Sequence, residues 1–204
     1  MFRTRVNSLK KLNLSLLFVF LGIFGFSLFL FKSLSLKKDT KGAKYIIGDQ
    51  ARSFLIEDFS TKNDFLKQYS NNGYIDSKKI LSTPHVINFW ASWCLTCRDE
   101  SYLIEKAWNK YKDKGVLFLG VAIQDDRLQL KKAVAKLSKT YLVGLDHTGN
   151  MSIDYGLTGV PETFFISSEG DIVYKHIGPL SEKVLYKNID EMLPSTLSMA
   201  ISEK

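Results

Sequence analysis

Two cysteines stand two residues apart in the segment NFWASWCLTCRDE (88–100), and they are the only cysteines among 204 residues. Cysteines at this spacing serve as half of a metal site, as a structural crosslink, or as a pair that cycles between dithiol and disulfide. A structural disulfide stabilises a protein by closing a long loop, and the two residues between Cys94 and Cys97 close almost none. The spacing therefore disfavours the structural crosslink.

The metal interpretation requires ligands that the sequence does not place nearby. A structural zinc site takes four protein ligands, so the cysteine pair would need two more. The three histidines, His85, His147 and His176, are scattered singly and form no pair at ligand spacing. The sequence thus favours a redox pair. We expect no metal, and no cofactor beyond the redox-active disulfide itself.

The segments that flank the cysteines predict that Cys94 lies where a helix begins. The apolar run HVINFWA (85–91) precedes them and is typical of a strand buried on both faces. Apolar residues recur behind them at helical spacing, namely Leu103, Ile104, Ala107, Trp108 and Tyr111. Unpaired N–H groups and the dipole at a helix N-terminus stabilise a thiolate. We therefore expect Cys94 to attack and the more buried Cys97 to resolve the mixed disulfide.

The remaining apolar pattern predicts an α/β fold with a central mixed sheet flanked by helices. Two more buried strands, VLFLGVAI (116–123) and YLVGLD (141–146), alternate with a helix that carries Leu130 and Val134. The runs ETFFIS and IVYKHIG flank SEGD and predict a hairpin. A last helix follows Ser181 and ends before Pro194.

The positive charge of the chain is confined to its N-terminal part. The formal net charge is +7, but residues 1–44 account for +8 and residues 45–204 for −1. A nucleic-acid partner would require a basic surface on the folded domain. We therefore expect no nucleic-acid binding.

The same N-terminal part predicts a membrane anchor. Residues 12–31 carry no charge and would span about 30 Å as a helix, the thickness of a bilayer's hydrocarbon core. A cleaved signal peptide would have a shorter apolar region and a better cleavage site than Ser33-Leu34-Ser35. Lysines and arginines flank both ends, so charge does not decide the orientation. The predicted order is an N-terminus (1–11), an anchor (12–31), a linker (32–44), the α/β domain (45–194) and a tail (195–204).

Two motifs resemble a known family. VINFWASWCLTCRDE is similar to the active-site strand and helix of the thioredoxin superfamily, and YGLTGVPETFFIS (155–167) resembles the cytochrome c maturation reductases of the DsbE or CcmG family. IGDQARSFLIED (47–58) and YKHIGPL (174–180) resemble further segments of that family. The resemblance implies a thioredoxin-like fold on an inner-membrane protein with one transmembrane helix, its domain facing the periplasm and the N-terminus in the cytoplasm.

The resemblance also implies roles for individual residues. Cys94 and Cys97 match the attacking and resolving cysteines, and Pro161, after Val160, matches a cis-proline beside which the Val160 backbone would pair with a substrate. Glu100 and Glu162 match acidic residues that could take the Cys97 proton. Each glutamate also has a plainer interpretation, as a first-turn helix acid and a solvated strand-edge residue. Trp90 and Trp93 match aromatic positions that would shield the disulfide. Trp93 would also contact substrate, whereas Trp90 could be plain core. His176 is interpreted as structural.

Three departures from the family pattern stand out. Asn88 occupies the place of a buried aspartate in thioredoxin, so the proton acceptor must lie elsewhere, which favours the two glutamates. Leu95 stands where the family usually has the proline between its cysteines, which leaves the redox potential open. The proline of the early G-x-x-x-P-x-F run is missing around Ala51 and Arg52.

The expected function is a protein-disulfide reductase. Its partners would be apocytochrome c, whose disulfide it reduces before haem attachment, a membrane electron donor of the DsbD or CcdA type, and other cytochrome c maturation components. Two alternatives remain. One is a general extracytoplasmic thiol reductase of the ResA or TlpA type. The other is a copper-binding module on the same fold, which would resemble Cys-x-x-x-Cys, one residue longer than the spacing here.

Overall fold

The computed structural model describes residues 16–28, 47–61 and 64–193. Contacts divide the chain into two units, Met1–Lys41 and Gly42–Lys204. In the first unit, residues 16–28 are helical with exposed side chains. Among the described residues, no helix is both long enough and apolar enough to cross a membrane. The predicted anchor (12–31) extends past the described residues at both ends, and the segments predicted at 1–11, 32–44 and 195–204 lie outside them.

The second unit is built on a mixed sheet, which confirms the predicted sheet type. The strands are β1 (Leu55–Asp58), β2 (Ser70–Asn71), β3 (Tyr74–Asp76), β4 (His85–Trp90), β5 (Leu117–Ile123), β6 (Leu142–Asp146), β7 (Glu162–Ile166) and β8 (Ile172–Ile177). Within the described part of the chain the order across the sheet is β2-β3-β1-β6-β5-β4-β7-β8. The strands β4, β5 and β6 are parallel and buried along their whole length, and the other neighbouring pairs are antiparallel.

Helices begin at side chains that satisfy their free N–H groups. Asp126 accepts from the N–H groups of Leu128 and Gln129 at the start of α2, and Ser181 accepts from Val184 at the start of α4. The helices of the second unit are α1 (Leu95–Tyr111), α2 (Arg127–Lys136), α3 (Asn150–Asp154) and α4 (Glu182–Met192), with 3₁₀ turns at Lys67–Tyr69, Ser77–Lys79 and Lys112–Lys114.

The central elements agree with the sequence prediction, whereas the edge formed by β1, β2 and β3 was not predicted. Ile56 is the buried residue of β1, and Ile75 is that of β3. One buried residue per strand produces no alternating pattern from which a strand could be predicted. Close packing joins this edge to the centre, since a Cβ at Gly144 in β6 would overlap the Ile56 side chain.

Candidate active site

Cys94 and Cys97 are joined in a disulfide at the N-terminus of α1. Cys94 is the residue before the helix, and its Sγ accepts the N–H of Cys97 at 3.2 Å. The Thr96 hydroxyl lies 3.4 Å from the same sulfur. Cys97 is 2% exposed and Cys94 is 7% exposed. This arrangement confirms that the pair lies where a buried strand ends and a helix begins, with polar groups directed at Cys94.

The loop between β4 and the cysteines is held by the loop that follows β5. Asp125 accepts two hydrogen bonds at 2.6 Å, from the N–H and from the hydroxyl of Ser92. The indole N–H of Trp93 donates to the Gln124 carbonyl at 3.0 Å. Gln124 has a φ of +47°, a strained conformation for a residue other than glycine. These contacts fix the approach to Cys94.

Trp93 and Leu95 leave apolar surface beside the cysteine pair. Trp93 is 56% exposed and Leu95 is 68% exposed. Trp90, by contrast, is fully buried, so it is a core residue beneath the site. Apolar side chains next to a reactive pair favour contact with an apolar or unfolded client segment. The predicted substrate-binding role of Trp93 is compatible with this exposure.

The loop before β7 contains the predicted cis-proline, and the Val160–Pro161 bond is cis. Glu162, the first residue of β7, is fully buried. Its Oε1 accepts the N–H groups of Thr158 at 2.8 Å and Gly159 at 3.1 Å, and also the Thr158 hydroxyl. Its Oε2 lies 2.8 Å from Lys175 Nζ. Glu162 thus holds the residues that lead to Val160.

Glu100 belongs to a buried polar network on the other side of β7. Its Oε1 accepts from Asn88 Nδ2 at 3.0 Å, and its Oε2 accepts the Leu180 N–H at 2.9 Å. The same Asn88 nitrogen donates to the Thr163 hydroxyl at 3.0 Å. Burial raises the pKa of Glu100, while the Leu180 and Asn88 hydrogen bonds and the charges of Lys139 and His176 act in the opposite direction.

The two glutamates are therefore not brought together. Successive side chains of a strand point to opposite faces, so Glu162 points away from the face on which Thr163 meets Asn88. Glu100 follows Cys97 by three residues and shares its face of α1. Glu162 holds the loop before Val160 through its hydrogen bonds to Thr158 and Gly159. That either glutamate takes the Cys97 proton stays a prediction. Glu100 lies beyond the first turn of α1, and Glu162 is fully buried, so the plainer interpretations do not apply.

Several residues of the site were not predicted from the sequence. Asp125 carries a readable signal, because it stands two residues after a buried parallel strand, and the carboxyl ends of parallel strands meet at one edge of the sheet. Asn88 was noted only as a departure, whereas it supports Glu100. Lys139 lies in a polar turn and was not identified. His176 Nε2 donates a hydrogen bond to the Pro179 carbonyl at 3.1 Å, which agrees with a structural role.

Among the described residues, no group of three or more His, Cys, Asp or Glu side chains is arranged to hold a metal ion. The site itself contains the disulfide, a buried carboxylate one helical turn after it, and exposed apolar side chains.

Comparison with known proteins identifies the architecture and the kind of site. The Redoxin family model matches residues 48–193. A thiol:disulfide interchange protein of the thioredoxin family from Chlorobium tepidum TLS superposes with a TM-score of 0.60 at 22% identity, covering 74% of this chain and 99% of that one. At that identity the superposition shows the fold alone, and it confirms the predicted thioredoxin-like fold.

Curated relatives share sequence over the same region. The thiol:disulfide interchange protein DsbE of Pasteurella multocida (strain Pm70) is 30% identical over 176 residues, which cover 86% of this chain and 90% of the relative. The DsbE of Pseudomonas fluorescens biotype C is 36% identical over 102 residues, 50% of this chain and 55% of the relative. The matched segment thus spans little more than half the length of that second relative.

Proposed function

This chain belongs to the Redoxin family, among the thiol:disulfide interchange proteins of the DsbE type, and we propose that it is a thiol:disulfide oxidoreductase that reduces a client disulfide. The observation that supports this activity is the position of the Cys94 sulfur, which lies at the start of α1 and accepts the Cys97 N–H. A thiolate that forms there accepts the same hydrogen bond and faces the positive end of the helix dipole.

The reaction runs in two exchanges. In the dithiol form, the Cys94 thiolate attacks one sulfur of the client disulfide, and the other client sulfur leaves as a thiolate with the electron pair. Cys97 then loses its proton to Glu100 and attacks the Cys94 sulfur, which releases the second client thiolate. The products are a client dithiol and the Cys94–Cys97 disulfide. An external dithiol donor must return two electrons before the next cycle.

We further propose that the client is apocytochrome c and that the reductant is a membrane donor of the DsbD or CcdA type. The DsbE names of the relatives support this, together with the GVPETF motif of residues 159–164. The exposed indole of Trp93 and the exposed Leu95 side chain provide an apolar surface for an unfolded client, and the Val160 backbone would pair with the client chain. Other cytochrome c maturation components would act with it.

The reductase activity is tested with a defined disulfide. We expect the reduced full-length protein to convert a peptide with an oxidised Cys-x-x-Cys-His sequence into its dithiol, one peptide per protein, as measured by mass after acid quenching. The Cys94→Ser variant serves as the control and should leave the peptide oxidised. A peptide that stays oxidised with the unmodified protein would contradict the proposal. Loss of several disulfide proteins rather than cytochrome c in a deletion strain would favour the ResA or TlpA type of client range.

We also propose that residues 12–31 anchor the protein in the inner membrane with its domain in the periplasm. The first support is the uncharged 20-residue run. The second is that client disulfides, which such a reductase acts on, form in an oxidising compartment such as the periplasm. An alkaline phosphatase fused after Lys204 should be active, and a β-galactosidase at the same position should be inactive. The opposite pair of activities would place the domain in the cytoplasm.

A further inference from the structure

Lys139 is a lysine with 1% of its surface exposed, in a turn where an apolar residue would be expected. After α2, Ser138 has a φ of +50°, the Ser138 N–H bonds the Ala135 carbonyl, and the Lys139 N–H bonds the Val134 carbonyl. This is the Schellman pattern of a helix end, in which the residue at the place of Lys139 commonly makes an apolar contact with the helix. The turn thus directs a cation into the core.

Two aromatic rings enclose the Lys139 ammonium. Its Nζ lies 4.1 Å from the centre of the Trp90 ring and donates a hydrogen bond to the Tyr141 hydroxyl. Gly120 on β5 leaves room for both rings, since a Cβ there would lie 3.1 Å from each of them. A cation over an aromatic face is stabilised, most strongly when water is excluded. The side chains around Lys139 therefore stabilise its buried ammonium group.

Charged and titratable groups face this site from two turns of α1, from the residue before β6 and from β8. Glu100 and Glu105 of α1 act on Lys139 as negative charges, Tyr141 precedes β6, and His176 of β8 acts on Glu100. Burial lowers the pKa of Lys139 to about 7, and the two glutamates act against that shift. Burial raises the pKa of Tyr141 well above its usual value, so it remains a neutral phenol.

The two acidic groups of α1 differ in what else they bind. Glu105 accepts the Thr140 N–H at 2.9 Å and the Thr140 hydroxyl, so it fastens the turn that carries Lys139. Glu100 is bound to Asn88 and Leu180 and lies one helical turn after Cys97. Its network is the one that can receive the thiol proton, and Lys139 is a buried cation whose charge favours the ionised form of Glu100.

We propose that Lys139 is a positioning residue for the resolving step: its buried ammonium keeps Glu100 in the carboxylate form that accepts the proton of Cys97. This inference rests on the proposed thiol:disulfide exchange. In that step the Cys97 proton moves to Glu100, the Cys97 sulfur bonds to the Cys94 sulfur, and the mixed disulfide breaks with the electron pair on the departing thiolate. With a neutral residue at 139, Glu100 would hold a proton to higher pH and accept none from Cys97.

The test separates the two exchanges with one reagent. Reduced full-length protein in detergent micelles is mixed with dithiobis(nitrobenzoate), an aromatic disulfide that releases a coloured thiolate at each exchange. The first release follows attack by Cys94 and depends on reagent concentration. The second follows attack by Cys97 within the protein and does not. Both rates are measured from acidic to alkaline pH.

In Lys139→Met we expect the second release to be slower by about tenfold at pH 6, below the pKa of Lys139, and its pH profile to move to higher pH, because a buried opposite charge favours the carboxylate. The first release should be unchanged. The exposed Lys136→Met, three residues earlier, is the matched control for loss of one positive charge and should match the wild type. Lys139→Met added to Glu100→Gln should slow the second release no further than Glu100→Gln alone.

Methionine has the length of the lysine stem and suits the apolar position of the turn, so the fold should be kept, and Lys139→Gln provides a second neutral variant. An unshifted second release in either variant would overturn the inference. So would an equal slowing of both releases, or a slowing that persists in the Glu100→Gln background. A wild-type protein that never gives the second release would instead contradict the proposed function itself.

Discussion

Cys97→Ala should convert the protein into a covalent trap, whereas Cys94→Ala should trap almost nothing. Cys94 keeps its place at the start of α1 and the N–H at position 97 that bonds its sulfur, so attack on a client continues. The nucleophile that would release the client is gone, and the mixed disulfide accumulates. Turnover should fall to background in both variants.

Affinity purification under non-reducing conditions, followed by mass identification, measures the trapped partner. We expect apocytochrome c, bound through a cysteine of its Cys-x-x-Cys-His motif. The double variant Cys94→Ala/Cys97→Ala is the control for non-covalent recovery. Trapping chiefly by Cys94→Ala would reverse the roles of the two sulfurs, and a partner set without a cytochrome c would remove the maturation assignment while leaving the exchange chemistry intact.

Lys175→Met should lower the free energy of unfolding by about 3 kcal/mol, because it leaves a buried carboxylate without its counter-charge. Glu162 is fully buried, and Lys175 Nζ lies 2.8 Å from its Oε2. A loss of that size corresponds to roughly 6–12 °C in the Tm of a domain of this length. Denaturant unfolding followed by circular dichroism measures it.

The effect should depend on pH. Burial raises the pKa of Glu162, but the hydrogen bonds from Lys175 and Thr158 and the Lys175 charge together bring it below the ordinary value of 4.5. A carboxyl with a lowered folded-state pKa contributes stability above its unfolded pKa and loses it as the pH falls. The difference between wild type and Lys175→Met should therefore be complete at neutral pH and shrink as the carboxyl becomes protonated.

The exposed pair Lys106–Glu182 provides a matched control. Its N···O distance is also 2.8 Å, but both side chains are about half exposed. Solvent screening makes such pairs contribute little to stability, so Lys106→Met should unfold at nearly the same denaturant concentration as the wild type. Equal losses of stability in Lys106→Met and Lys175→Met would contradict the prediction that the buried Glu162 carboxylate depends on Lys175 for its stability.

The sequence by itself determined the central architecture and the reactive pair. β4 and β5 are continuous apolar runs because both of their faces are buried, and a run of that kind can be read without knowing what covers it. The two-residue gap between Cys94 and Cys97 is a local property as well, so it excludes a long structural loop directly. Resemblance to a family then located Glu100, Val160 and Pro161.

The tertiary structure alone decided which polar groups serve the pair. Glu100 and Glu162 are alike in the sequence, yet one is bound to Asn88 on the α1 side of β7 and the other to Lys175 on the opposite side. Strand pairing decides this, because a shift of one residue in register exchanges the two faces. No local pattern around either glutamate contains that information.

Lys139 shows most clearly that a local sequence pattern does not reveal which polar side chains are buried. Its neighbours Ser138 and Thr140 suggest a solvated turn, and the φ of +50° at Ser138 directs the lysine inward instead. Its burial depends on Trp90, which is 49 positions earlier in the chain, and on the space left by Gly120. The cost of burying a charge is set by contacts between elements that are distant in sequence, so it becomes visible only when those elements pack.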